Sequence, residues 1–308
     1  MKIIIFIIIL INFFSLKSYA NESSFIAIKV NNNIITNIDL KNEENYLVAL
    51  NNELKKLKKS DIEKIAKESV IREKIKEDEV NKYTLKVDTK YVDQIITNFL
   101  TKLDLETEEQ FDAYLKQFDL TIDDVRKKIG IETRWNGLIF QKFNTQVNLD
   151  KKKIENRIKR NNQSKKIQKK YLLSEIVFEI TSGQSVNEKY QIIKNEIINL
   201  GFKNTANKFS IADTAKFGGK IGWVEEHQLS ESIRNEIKKI KVGQHTKPIN
   251  IVGGQLILKL EEEKIFNKKI DYKVLVKNAL NYERNKQLNQ FSKVYFNKIK
   301  INSIIDEK

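Results

Sequence analysis

Cysteine is absent from all 308 residues, which excludes disulfides, a thiol nucleophile and thiolate metal sites. It also leaves no residue on which a lipoprotein anchor could be built. Histidine occurs only as His227 and His245, and neither has a second ligand type at metal-site spacing. Both read as loop or surface positions, so no metal and no cofactor is implied. The one apolar run, Ile3–Phe14, is too short to span a bilayer. It follows Lys2 and precedes Ser18-Tyr19-Ala20, the pattern of a cleaved secretory signal over residues 1–20. An exported chain without a stable membrane anchor is expected. Proline occurs once, as Pro248, in a chain saturated with Lys, Ile and Asn, a bias that fits AT-rich codon usage.

The net charge is +15, lowered by two when Lys2 and Lys17 leave with the signal. Such a balance permits contact with nucleic acid or anionic lipid. The lysines are interleaved with glutamates along helical stretches, however, and an exported protein meets little nucleic acid. A solvated, solubilising surface is the reading adopted, with no nucleic-acid partner.

The length suits two domains. Phe25–Val30 and Ile34–Ile38 flank Asn31-Asn32-Asn33, a polar turn that predicts a hairpin running into a helix at Asp39. Capping boxes at Ser60-x-x-Glu63 and Thr121-x-x-Asp124, and a Thr107-x-x-Gln110 cap, predict three further helices. Between them, Tyr91, Val92, Ile95, Ile96, Phe99, Leu100 and Leu103 form an apolar stripe of helical period. Gly130 and Gly137 interrupt the helix after Thr121, each costing about 1 kcal/mol relative to alanine, and suggest a crossing or kink. Residues 161–170 are polar and read as a linker. Tyr171–Ile180 reads as a strand, and Ser185-Val-Asn-Glu188 opens a helix that stops at Gly201. Gly218-Gly219-x-x-Gly222-Trp223 suggests a tight turn between strands, and Leu256–Leu260 reads as the closing strand. Leu275, Ala279, Leu288, Phe291 and Tyr295 stripe a long C-terminal helix, followed by a short strand at Ile299–Ile305.

The order strand, helix, short helix, Gly-Gly-x-x-Gly-Trp, short helix, closing strand over about residues 168–264 resembles the parvulin family of peptidyl-prolyl isomerases. The flanking segments are similar to SurA-type periplasmic chaperones, in which N- and C-terminal helices form one client-binding module. Together these imply an α+β fold. Its parts would be a helical domain at 21–160, the linker, a parvulin-like domain at 171–264 with a small antiparallel sheet flanked by helices, and a C-terminal helix and strand at 265–308 packing on the N-terminal domain. The implied partners are unfolded outer-membrane or secreted polypeptides. Trp135, Phe111, Tyr114 and Phe118 are candidate client contacts, with helix-packing core as the competing reading of each.

An X-Pro bond rotates slowly because the amide is conjugated, with a barrier of about 18–20 kcal/mol. Catalysis needs an apolar pocket for the ring and polar groups that favour the twisted amide. The resemblance places Leu229 and Ile233 at the pocket and Trp223 beside it. The family's two histidine positions fall on Glu175 and Leu256, and its Asp or Cys position on Ala212, with Asp213 one residue away. Glu175 and Asp213 are therefore the candidate catalytic residues, and Leu229, Ile233, Leu256 and Trp223 the candidate substrate contacts. With both histidines replaced, the resemblance implies peptide binding with doubtful isomerase activity; the alternative is an active isomerase.

Overall fold

The computed structural model describes residues 23–163, 168–180, 183–212, 214–251, 253–266 and 272–307. The N-terminal hairpin is β1 (Ile26–Val30) and β2 (Asn33–Thr36), turned at Asn31, whose φ of 52° lies in the left-handed region asparagine tolerates. Thr36 then caps α1 (Asn37–Leu50) through a reciprocal box with Asp39. Helices α2 (Lys59–Val80), α3 (Thr89–Lys102), α4 (Glu108–Lys116) and α5 (Ile122–Phe143) follow.

The Thr107 cap and the Thr121–Asp124 box both form. The Ser60 box does not. Lys58 is the extended residue before α2, so Ser60 already lies inside the helix and its hydroxyl cannot serve as the cap. Nor does α5 break at its glycines. It is one helix of 22 residues; a Cβ at Gly137 would meet nothing within 4 Å, and one at Gly130 would rest on Val87 at 3.8 Å. The main helical core joins Tyr46, Leu47 and Leu50 to Val92, Ile96, Phe99, Phe111, Leu115 and Val125.

The stretch 161–170 is not linker throughout. Helix α6 (Lys151–Gln163) enters it from one side and β3 (Gln168–Phe178) from the other, and 164–167 lie outside the described residues. Then come α7 (Val186–Phe209), β4 (Lys220–Glu225), α8 (Glu231–Ile237), β5 (Ile249–Ile251) and β6 (Gly254–Phe266). The Ser185–Glu188 box opens α7, and Gly201, at φ 78°, breaks it into two segments. The four strands form an antiparallel sheet in the order β4-β3-β6-β5, with β3 and β6 paired along Gln168–Phe178.

The chain ends in α9 (Tyr272–Ile301) and β7 (Ile305–Glu307). The strand expected at Ile299–Ile305 starts later, because the helix continues through Ile301. Strand β7 pairs with β1, making a three-stranded sheet of order β2-β1-β7 from the two ends of the chain. Helix α9 lies on α5 and α6. Its Leu275, Val276 and Ala279 bury Ile154 and Ile158, and its Leu288, Tyr295 and Phe296 pack round Trp135, Leu138 and Ile139. The Trp135 indole N–H donates to Ser292 Oγ at 2.8 Å and its ring stacks on Tyr295 at 5.8 Å. Burying a ring this size is among the larger single contributions to such a joint.

Candidate functional site

Strand alternation gives the four-stranded sheet two faces. On one, Ile176, Phe178 and Ile257 meet Ile193, Phe202 and Ala206 of α7. On the other, Tyr171, Leu173, Val177, Val224, Leu256, Leu258 and Leu260 meet Leu229 and the Ile233 and Ile237 of α8. Glu175 falls in the same alternation as Leu173 and Val177, so it stands on this second face.

Glu175 is held at both its backbone and its side chain. Its N–H donates to Gly219 O at 2.7 Å, and its Oε1 accepts from Thr214 Oγ1 at 3.0 Å. Gly219 has φ 75°, and a Cβ there would lie 2.1 Å from the Glu175 carbonyl oxygen. Only glycine allows that approach. The glycine motif does not turn between two strands. It leads from the single-turn 3₁₀ segment Ala215–Phe217 into β4, and Gly222 sits within β4 beside a register shift opposite Leu173–Ser174.

Leu229, Ile233 and Leu256 do come together, but as buried side chains, 2%, 8% and 6% exposed. Tyr282 of α9 packs against the same cluster, half-buried. Burial raises its phenol above the ordinary range, and the carboxylates of Glu175 and Glu283 raise it further. Trp223 is not brought to this cluster. Val224, its neighbour on β4, faces the cluster, while the Trp223 ring is 38% exposed between the ammonium groups of Lys170 at 5.0 Å and Lys264 at 4.6 Å. Asp213 lies outside the described residues. Ala212 is buried, and its N–H and that of Val177 both point at Ser210 Oγ, at 3.3 and 3.0 Å.

Sequence reading missed Thr214 and Tyr282. Tyr282 continues the C-terminal stripe three residues beyond Ala279, a spacing that marks it as facing a neighbour. Thr214 carries no comparable signal. Two other expectations change. His245 is not a surface side chain; it is half-buried, with ring contacts to Tyr190 and Phe202 at 6.4 and 6.5 Å. Of the proposed client contacts, Trp135 and Phe111 are fully buried core, and Tyr114 turns its hydroxyl inward to Ala49 O at 2.7 Å.

Leu229, Ile233 and Leu256 make this face apolar, Tyr282 packs over them, and Glu175 is the carboxyl group beside them. A carboxylate here has no N–H with which to approach an amide carbonyl.

Two domain families match the chain. The model described as PPIC-type PPIASE domain covers residues 176–262, and that described as SurA-like N-terminal domain covers 1–139. The foldase protein PrsA of Staphylococcus epidermidis is 28% identical over 195 residues, 61% of this chain and 56% of that protein. The chaperone SurA of Pseudomonas aeruginosa is 25% identical over 182 residues, 56% of this chain and 43% of that protein. The chain thus spans about half the length of the curated relatives it matches. A solved structure described among SurA-like chaperones of Campylobacter jejuni is 16% identical, covering 92% of this chain and 98% of that one at a TM-score of 0.35. The chain joins a SurA-like N-terminal domain to a PpiC-type peptidyl-prolyl isomerase domain.

Proposed function

We propose that this protein is an exported chaperone that holds unfolded polypeptides, and that its rotamase domain binds proline-containing segments while catalysing their isomerisation poorly. The observation that carries this reading is the composition of the sheet face. Leu229, Ile233 and Leu256 keep it apolar, while its polar group is Glu175, already accepting from Thr214. Losing a preorganised polar contact costs about 10²–10³ in rate. Burial of one apolar side chain still contributes about 1.5–3 kcal/mol to binding.

The clients of this reading are outer-membrane or secreted polypeptides, met in the periplasm after cleavage of residues 1–20. Names of the relatives, SurA chaperone and PrsA foldase, support the class of work. The apolar run after Lys2 supports export, and a mature protein beginning at Asn21 by mass spectrometry is the expected result.

A proline-isomerisation assay beside an aggregation-suppression assay on an unfolded β-barrel client tests the proposal. The wild-type chain is expected to suppress aggregation and to accelerate isomerisation little. Restoring both histidines, as E175H/L256H, is expected to raise the rate more than it changes peptide affinity. A wild-type rate matching that of a parvulin with both histidines refutes this reading of the site and favours the active isomerase.

A further inference from the structure

An open cleft of about 770 Å³ runs between the helical domain and the rotamase domain. Its apolar walls are Tyr91, Ile95 and Phe99 of α3 facing Phe217 and Ile221, and none of Leu229, Ile233 and Leu256 lines it. Phe99 and Phe217 meet at 5.7 Å across the two domains, forming a floor. Tyr91 and Ile221 are large side chains left substantially exposed at its edges.

Two further features converge on this cleft. First, Lys220, Ile221 and Gly222 are the opening residues of β4, which is an edge strand of its sheet. Among the described residues no strand pairs with its outer side. A strand edge presents backbone donors and acceptors to which an extended chain can add. Second, the cleft's charge is positive and only partly compensated. Lys128 is paired with Glu43 and Glu73, and Lys216 with Glu132. Lys102 and Lys220 have no carboxylate at ion-pair distance among the described residues. The Lys102 ammonium spends one donor on Leu50 O at 2.6 Å. Desolvation, then repulsion from Lys220 of β4 and Lys203 of α7, pushes its pKa down to about 8. An anionic group in the cleft would relieve that repulsion.

We infer that the cleft takes an extended acidic–apolar polypeptide segment. Its backbone runs along β4, its apolar side chains rest on Ile95, Phe99 and Phe217, and a carboxylate lies between Lys102 and Lys220. This second site deepens the chaperone reading and rests on it; it lies apart from Leu229, Ile233 and Leu256, although Thr214, which donates to Glu175, also lines it. It makes clients with alternating apolar and acidic residues the preferred class.

Fluorescence anisotropy of the full chain with two labelled peptides tests it. They share length and Ile/Phe content, one carrying Asp and Glu and the other Lys. Exposed ion pairs are modest individually, so two of them predict an advantage of about fivefold to tenfold for the acidic peptide. The advantage is expected to vanish in K102E/K220E, while a neutral proline-containing peptide binds that variant as it binds wild type. Retained proline-peptide binding also shows that the variant is folded, and the wild-type comparison needs no variant. Equal affinity of the two peptides for wild type overturns the inference. So does tighter binding of a labelled oligothymidylate that is lost in K102E/K220E. An acidic preference in a chain that suppresses no client's aggregation would instead overturn the chaperone reading and leave the site standing.

Discussion

Glu132 is the side chain whose replacement should do most to separate the two domains. It lies on α5 and accepts from Lys76 of α2 at 2.7 Å and from Lys216, in the 3₁₀ turn before β4, at 3.3 Å. Lys76 is only 2% exposed and also sits 5.5 Å from the Trp135 ring. At an effective dielectric near 20, the two attractions are each roughly 5–6 kcal/mol gross. Desolvation consumes most of this, and removing one partner of a buried pair costs at most about 3–5 kcal/mol, less where the remaining cation keeps other contacts, as Lys76 keeps the Trp135 ring. Gln keeps an acceptor for Lys76, so E132Q should lie at the low end, about 3 kcal/mol, or a fall of roughly 6–12 °C in Tm. Burial opposes ionisation of Glu132, but Lys216 and Lys76 prevail and hold its carboxyl well below the ordinary carboxylate range. A depressed folded-state pKa stabilises above the unfolded value, near 4.3, and that stabilisation is lost as pH falls below it. Urea titrations at pH 7 and at pH 3 should therefore show a large gap between wild type and E132Q that narrows in acid. Hydrogen exchange should rise in E132Q around Lys216–Gly219. Equal stability at pH 7, or a gap that widens in acid, would refute the account of Glu132 as an interdomain clamp.

G219A should destabilise the rotamase domain by about 2–5 kcal/mol, since the new Cβ meets a backbone oxygen at 2.1 Å and φ is 75°. G222A, with open space around it, should cost only about 1–2 kcal/mol for its positive φ, and comparing their denaturation midpoints checks the difference. Y282A uncovers the Leu229–Ile233–Leu256 cluster, so affinity for a proline-containing peptide should rise several-fold by calorimetry; unchanged or weaker binding would mean that Tyr282 does not cover the peptide face.

Features held by short-range chemistry were legible without coordinates. The Ser185–Glu188 and Thr121–Asp124 boxes each close within three residues, so the pattern names the helix start. Of the stripe from Tyr91 to Leu103, Val92, Ile96, Phe99 and Leu100 are buried, because helical period sets which side chains share a side, while Tyr91 at its margin stays exposed. The glycines before Trp223 announced backbone that only glycine enters, although not what it approached. At Ser60 the expected box did not form, because the capping position lies two residues earlier, at Lys58, which makes no side-chain cap bond.

Tertiary structure decided the rest, because contacts between distant segments depend on how whole elements pack. Trp135 as a candidate client contact and Trp135 as core look alike in sequence; its partner Ser292 is 157 residues away. Pairing of β7 with β1 joins the chain's two ends, and no residue pattern in a three-residue strand names its partner. Trp223 and Val224 were separated onto opposite faces by strand register, with a bulge at Ile221 resetting the alternation. The same packing brings Tyr282 over the sheet face, Lys216 to Glu132, and α3 opposite the outer edge of β4. Sequence determined the elements and the domain families they belong to; which surfaces they cover, and which they leave open, was set by burial that only the assembled fold provides.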